Sequence, residues 1–511
     1  MVKFAATFVG QLFIAFIAGA VTVFAFAPFH VWPLAIVSLV VLFSLWLRAK
    51  SPWRAAALGF VWSLGLFVTG VSWLYVSLHV YGNMPAIFAG AAVFIFCLYL
   101  ATFLAITGYL QARLRLQPSV NLLVLMPAAF VAAEVIRAWF VTGFPWLVLG
   151  YTQAPSESNI TPLLGYAPII GVYGITWLLA LTAGVIVWLA PKLAGQIVSA
   201  KNQRISVAAT VSVWVIGVLL LSFDWSQPSG KPFTVSLLQG NVSQQLKFRQ
   251  DQLQPTIDNY LELVKKSRGK LIVLPETALP LWLLLIPAEV TDALAKKAIA
   301  NEGNVILGVA YQGEASANGA LPFYNGAVSL GRDPTQRYAK QHLVAFGEFI
   351  PPLFSWVYQW LDMPMSGFTP GATTQTPMRL SGHLVAVNIC YEDTFGREIA
   401  RPLPDAELLV NISNMAWYGK SLAADQHAQF SQLRAVETSR WMLRSTNTGV
   451  TAAINEKGQI VKALPQFSRG VLETEAVPRT GRTPYSAWKD WPVLFMLVLV
   501  MGSAIVVHRR G

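Results

Sequence analysis

The stretch Leu384-Val385-Ala386-Val387-Asn388-Ile389-Cys390-Tyr391-Glu392-Asp393 turns from apolar to polar at a single cysteine. A short apolar run reads as a buried strand, and the polar residues that follow at once put its end at a surface or cleft. A thiol delivered there is placed for use. Two more reactive side chains stand in similar settings: Glu276 ends Leu271-Ile272-Val273-Leu274-Pro275, and Lys340 lies in Arg337-Tyr338-Ala339-Lys340-Gln341-His342. A thiol must lose its proton to attack, a carboxylate is expensive to bury without partners, and backbone N–H groups beyond a strand end can hold a developing oxyanion. Together the three side chains suit one nucleophilic site. Taken singly, each has a plainer reading: Cys390 as a core cysteine, Glu276 as a solvated strand end, Lys340 as a surface lysine. Glu348 adds a second carboxylate in an apolar setting. His342, His383 and His427 leave a Cys–His pairing open, although none sits in a recognisable partner motif. No His/Cys cluster has metal-ligand spacing, and no Gly-rich loop is built for phosphate.

Composition says where such a site sits. Of 511 residues, 55% are hydrophobic and 12% charged, about half the charged share of an average soluble domain. A purely soluble protein is excluded. The formal charge of +12 raises nucleic acid as a partner, but much of the excess falls in short loops between apolar segments, where membrane topology puts it. No nucleic-acid partner is expected. With only Cys97 and Cys390, and Cys97 inside an apolar run, the chain has no disulfide framework.

A bilayer core needs roughly 20 apolar residues per helix. Eight segments qualify as candidates, near 6–27, 31–47, 55–78, 86–111, 120–140, 162–190, 205–223 and 491–508. Lys3, Arg48, Lys50, Arg54, Arg113, Arg115, Lys192, Lys201, Arg204, Arg509 and Arg510 fall at alternate ends, whereas the loops near 28–30, 79–85 and 141–161 carry no Lys or Arg. The asymmetry predicts both termini in the cytoplasm and residues 224–488 outside it, which in a Gram-negative cell is the periplasm. Glu134 and Arg137, three apart in the fifth segment, read as a structural pair rather than a transport pathway. The chain therefore divides into a membrane domain, 1–223, with seven helices, an extracytoplasmic domain, 224–488, and an eighth helix with its tail, 489–511.

Residues 224–488 have ordinary charge, Gly/Pro turns and short apolar runs. Strands are expected at Phe233–Gln239, Leu271–Pro275, Val305–Ala310, Asn325–Leu330, Leu384–Ile389, Leu408–Ile412 and Gly449–Ile454, with helices over 251–268, 289–302 and 425–442. Strands alternating with helices predict a layered α/β domain. Residues 346–369, rich in Phe, Trp and Leu, are expected to form an apolar arm over the membrane, where Trp is favoured.

Three motifs, Leu274-Pro275-Glu276, Lys340 through Glu348, and Ile389-Cys390-Tyr391-Glu392, resemble in order the signatures of the nitrilase, or carbon–nitrogen hydrolase, superfamily. Asn411 to Gly419 and Leu443 to Gly449 fit as well. With the membrane segments and Thr142-Gly143-Phe144-Pro145-Trp146 in an outer loop, the whole chain resembles the superfamily's membrane-embedded N-acyltransferase branch. The resemblance implies an αββα sandwich joined to a membrane α-helical bundle in a bacterial inner membrane. It implies Glu276 as general base, Cys390 as nucleophile and Lys340 as stabiliser of the oxyanion. Glu348, Tyr391, Glu392, Phe248, Trp146, Asn414 and Trp417 would support the site or the substrates. Phe248 stands where that branch commonly has Trp, and Met415 where Asp is frequent. Ping-pong acyl transfer from a phospholipid to the diacylglyceryl cysteine of an apolipoprotein follows from the resemblance, with no metal or organic cofactor. A membrane-tethered amidase, with water as acceptor, is the alternative.

Overall fold

In the computed structural model, residues 7–114, 116–156, 159, 161–190, 198–315, 321–351 and 367–510 are described. They form two compact units. The first holds Met1–Tyr75, Pro85–Phe223 and Trp488–Gly511; the second holds Val76–Met84 and Asp224–Ala487.

The first unit is helical. Among the described residues, seven helical spans are long and apolar enough to cross a membrane: Phe8–Ala25, Pro52–Gly70, Ala86–Leu114, Pro118–Arg137, Pro162–Leu189, Ala200–Leu220 and Trp491–Arg509. The eighth expected segment, 31–47, is the 15-residue helix Pro33–Leu47. Pro33 opens it and Arg48 closes it, which leaves about 22 Å of helix against a hydrocarbon core of about 30 Å. The expectation of eight full-length spans thus becomes seven and a short one. Small residues let the helices approach closely: a Cβ on Gly65 would lie 2.2 Å from the Phe16 carbonyl. Glu134 and Arg137 fasten the following loop. Glu134 accepts from the Leu149 amide at 2.9 Å, and Arg137 donates to the Trp146 carbonyl at 2.7 Å.

Among the described residues the second unit holds fourteen strands in chain order. They are β1 Gln227–Pro228, β2 Phe233–Gln239, β3 Leu271–Val273, β4 Asn304–Gln312, β5 Phe323–Gly331, β6 Arg337–Ala339, β7 Met378–Leu380, β8 His383–Ile389, β9 Leu408–Ser413, β10 Trp441–Thr446, β11 Ala452–Ile454, β12 Ile460–Ala463, β13 Gly470–Ala476 and β14 Arg479–Thr480. Two six-stranded sheets run β13-β2-β3-β4-β5-β6 and β7-β8-β9-β10-β11-β12, and β1 pairs with β14. In each sheet three central strands are parallel, β2-β3-β4 and β8-β9-β10, and their neighbours are antiparallel.

Period-two alternation builds the layers. Leu271, Val273, Ile306, Val385, Val387, Leu408 and Val410 share one core between the sheets. Ile272, Val305 and Leu307 instead join Leu263, Leu294 and Ala298 of helices Leu253–Lys266 and Ala288–Ala300. On the far side Ala386, Leu409 and Met442 join Ala428 and Ala435 of helix Ala423–Thr438. The order is helix, sheet, sheet, helix, the αββα sandwich that the resemblance implied.

Two differences from the sequence reading have physical causes. The helix expected over 425–442 stops at Thr438, because Ser439 turns left-handed (φ 51°), and β10 begins at Trp441. That strand carries Arg444, Ser445 and Thr446, all buried, so no apolar run marks it. Of the expected apolar arm, Leu353, Phe354, Trp356, Val357, Trp360 and Leu361 lie outside the described residues.

Candidate active site

Every reactive group stands just beyond the carboxyl end of a strand. Glu276 follows β3, Lys340 follows β6, Cys390 follows β8, and Asn414 follows β9. In open α/β sheets this edge is where ligands bind. The two sheets are tied together there. The Ser445 hydroxyl reaches the carbonyls of Leu238 at 2.8 Å and Val273 at 3.0 Å. Asn447 donates to Asn414 Oδ1 at 3.1 Å, and Asn414 donates to Gln244 Oε1 at 2.9 Å.

Lys340 is the centre of charge. Its side chain is 1% exposed, and its Nζ lies 2.8 Å from Glu348 Oε1 and 3.4 Å from Glu276 Oε1. Burial works against the ammonium, but the Glu348 and Glu276 carboxylates outweigh it and hold its pKa well above the ordinary range. Asn325, inside β5, donates to Glu276 Oε1 at 2.8 Å and to Glu348. The Asn414 amide donates to Glu276 Oε2 at 2.9 Å. Glu276 is thus buried with a donor on each oxygen, as a buried carboxylate must be.

Cys390 is half-buried and left-handed, at φ 53°, a conformation that costs about 1–3 kcal/mol and gathers at functional sites. Burial and then the Glu276 carboxylate push its thiol up, while Lys340 pulls the other way. The Cys390 backbone carbonyl accepts from Asn411 Nδ2 at 3.2 Å and lies 3.0 Å from His427 Nε2. His427 therefore meets the main chain of Cys390 through its ring nitrogen. His342 stacks on Phe395 at 3.6 Å between centroids, and His383 lies 3.2 Å from Glu407.

Glu392 joins the loops that carry Lys340 and Cys390. Its carboxylate accepts from the amides of Ile389 and Gln341, both at 2.7 Å, from the His342 amide at 3.2 Å, and from Tyr338 Oη at 2.9 Å. Burial pushes its carboxyl up to about 7, against Lys340 and those amides. Asp393, beside it, is buried too. Burial raises its carboxyl, but His427 and Arg444 outweigh that and hold it below the ordinary carboxylate range.

The other expected site residues are placed as follows. Tyr391 is half-buried with its ring edge-on to Phe395 at 5.2 Å. Trp417 is half-buried and edge-on to Tyr81 at 6.2 Å, within the same unit. Phe248 is half-buried in a turn beside Lys247. Trp146 belongs to the first unit, where it is 3% exposed and packs on Trp73 at 4.9 Å. Sequence reasoning missed Asn325, Lys247 and the Asp393 network. Lys247 is 1% exposed, with Nζ 3.4 Å from the Glu276 carbonyl, and burial, opposed by Glu276, lowers its ammonium to about 8. Its one signal was position, next to Phe248. Among the described residues no cluster of three or more His, Cys, Asp or Glu is arranged to hold a metal ion.

The layered α/β unit that carries this cysteine, lysine and pair of carboxylates matches the carbon–nitrogen hydrolase family model over residues 234–485. Residues 18–185 match the apolipoprotein N-acyltransferase N-terminal domain. The chain is 44% identical over 98% of its length to the apolipoprotein N-acyltransferase of Nitrosomonas europaea, and covers 98% of that protein. It is 39% identical to that of Chromobacterium violaceum over 98% of this chain and 95% of that protein. For Methylococcus capsulatus the figures are 38%, 98% and 97%. The chain belongs to the apolipoprotein N-acyltransferase family, a family of multi-pass membrane enzymes that modify lipoproteins.

Proposed function

We propose that the protein transfers an acyl chain from a phospholipid, through a thioester on Cys390, to the α-amino group of a diacylglyceryl N-terminal cysteine of an apolipoprotein. One observation carries the reading: Lys340 bridges Glu276 and Glu348 beside a thiol whose pKa is pushed up. A protonated thiol needs a general base, and Glu276 has that role. As the sulfur attacks the ester carbonyl, its proton passes to Glu276 and the S–C bond forms. Lys340 offsets the negative charge on the carbonyl oxygen. Collapse breaks the ester C–O bond, and the leaving lysophospholipid takes the proton from Glu276. In the second half-reaction the free amine attacks the thioester, its proton goes to Glu276, and the thiolate leaves and is reprotonated. Glu348 keeps Lys340 charged and in place. Asn414 and Glu392 hold Glu276 and the Cys390 turn, and Tyr391, Phe248, Trp417 and Trp146 are assigned to the substrates.

In this reading residues 224–488 form the catalytic domain outside the cytoplasm, 1–223 and 489–511 the membrane parts, and both termini are cytoplasmic. The loop charges support it. So does the segment Val76–Met84, which the same charges put outside and which packs with Trp417 in the catalytic unit.

The test is mass spectrometry of Cys390 after incubation with phospholipid alone. The expected result is a Cys390 mass increase by one acyl group, with lysophospholipid released before any acceptor is added. A diacylglyceryl peptide with a free amino terminus clears the adduct, and its acetylated form does not. Lysophospholipid that appears only when both substrates are present overturns the two-step scheme. Cys390→Ala abolishes the adduct and Cys97→Ala keeps it.

A further inference from the structure

Behind the nucleophile lies a closed polar cluster that the reaction as written does not use. His427, Asp393, Ser431 and Arg444 are each no more than 1% exposed. Asp393 Oδ2 accepts from Arg444 Nη1 at 2.8 Å and from the Ser431 hydroxyl. His427 Nε2 faces two acceptors, Asp393 Oδ1 at 2.8 Å and the Cys390 carbonyl at 3.0 Å. Its Nδ1 faces Arg444 Nη2 at 3.1 Å.

These contacts settle the tautomer. A guanidinium only donates, so Nδ1 must accept and carries no proton. Nε2 then bears the one ring hydrogen, which is shared between Asp393 Oδ1 at 2.8 Å and the Cys390 carbonyl at 3.0 Å. Arg444 thus makes His427 an Nε2–H donor, and Asp393 Oδ1 anchors the same nitrogen.

We infer that His427 is a positioning residue that pins the Cys390–Tyr391 peptide, and through it the left-handed turn on which the nucleophile stands. Two donors, His427 Nε2 and Asn411 Nδ2, hold the Cys390 carbonyl from behind. The carbonyl and the N–H of a trans peptide point in opposite directions. Fixing the oxygen toward His427 therefore turns the Tyr391 N–H away from it and fixes that donor in space. Preorganised donors matter where oxyanion charge develops, and the left-handed Cys390 backbone would otherwise relax toward an unstrained one. His427 acts on geometry, and the proton of the thiol is left to Glu276.

The inference rests on the acyl-thioester reading, and the experiment separates the two. The full chain in detergent micelles is mixed with phospholipid, and the burst of lysophospholipid gives the acylation rate constant. In parallel, Cys390 is alkylated by iodoacetamide across pH, a reaction that develops no oxyanion, in a Cys97→Ala background. His427→Ala lowers the acylation rate constant about 10²-fold, whereas His427→Gln, which keeps an N–H near the Nε2 position, stays within about tenfold of the natural protein. The pH profile of alkylation stays where it was in both. Where His427→Ala reduces the amount of folded protein, His427→Met, of similar volume and without a donor, carries the same test. Equal loss in the Gln and Met variants, or a shifted alkylation profile, overturns the inference. Absence of an acyl adduct in the natural protein instead defeats the thioester reading itself.

Discussion

Helices Ala288–Ala300 and Ala423–Thr438 make the same connection in the two sheets. The first leads from β3 to β4 and the second from β9 to β10, each pair parallel and adjacent. They are built in opposite ways. In Ala288–Ala300 only Val290, Leu294 and Ala298 are buried, one stripe at four-residue spacing. In Ala423–Thr438 every residue but Asp425 is buried, including Gln426, His427, Gln429, Arg434 and Glu437. The difference tracks the groups each sheet serves. Glu276 and Lys340 follow strands of one sheet, and Cys390 follows a strand of the other. In the function proposed above Cys390 is the nucleophile, and misplacing a nucleophile by an ångström can cost on the order of 10²-fold in rate. The sheet that carries Cys390 is backed by a helix with many buried polar groups, among them His427, which meets the Cys390 carbonyl, and Gln432, which donates to the Gly458 carbonyl.

The contrast is sharpest at Asp393. Asp393→Ala leaves Arg444 buried without its carboxylate, and breaking such a pair costs about 3–5 kcal/mol. Thermal unfolding in detergent should show that loss along with a fall in acylation. Asp393 itself lies in the turn Cys390–Thr394 against helix Ala423–Thr438; on helix Ala288–Ala300, Leu294→Ala should cost about 2–5 kcal/mol through the cavity it leaves, with the acylation rate per folded molecule unchanged. If the Leu294 variant slowed acylation as much as the Asp393 variant, the division of labour between the two helices would be wrong.

A pH experiment comes next in size. The Glu392 carboxyl is raised from 4.5 to about 7 in the folded protein. Between those values the folded state holds the proton more tightly than the unfolded chain, so stability from this group is greatest below about 4.5 and is lost as the pH rises to about 7. Asp393 runs the other way. Its lowered pKa gives stability above the unfolded value near 3.9 that is lost as pH falls through the folded one. Unfolding curves compared from pH 5 to 8 should show a downward slope in the natural protein that Glu392→Gln lacks. An identical slope in both assigns it to other groups. Smallest of all, Lys296→Ala on the exposed face of Ala288–Ala300 should change stability by less than about 0.5 kcal/mol. A larger effect there would mean that this face is covered.

What the sequence made legible follows the same line. β2 and β8 were marked by apolar runs and match to within a residue. Glu276 and Cys390 stood out because each ends or follows such a run, whereas Lys340, after Arg337-Tyr338-Ala339, was singled out by the motif it opens. β10 was not, since Arg444, Ser445 and Thr446 face partners rather than a core. Helix Ala423–Thr438 was legible as a helix, but its burial was hidden, because Gln, Arg and Glu normally signal a solvated face. Asn325 was missed for a related reason: an asparagine inside a strand marks a hydrogen bond whose partner lies far along the chain. Local pattern reports burial of apolar groups well, and polar groups buried for geometry poorly.

The segment Val76–Met84 bears on how the molecule is made. It is part of the second unit, with Tyr81 against Trp417 and Val76 Cγ1 3.2 Å from where a Cβ on Gly419 would stand. The ribosome finishes it some three hundred residues before it reaches Trp417. At about 5–20 residues per second, the segment waits tens of seconds for its partner. During that interval it must stay on the side where the partner will arrive, so early insertion of the flanking helices decides whether the later-made unit can complete its fold.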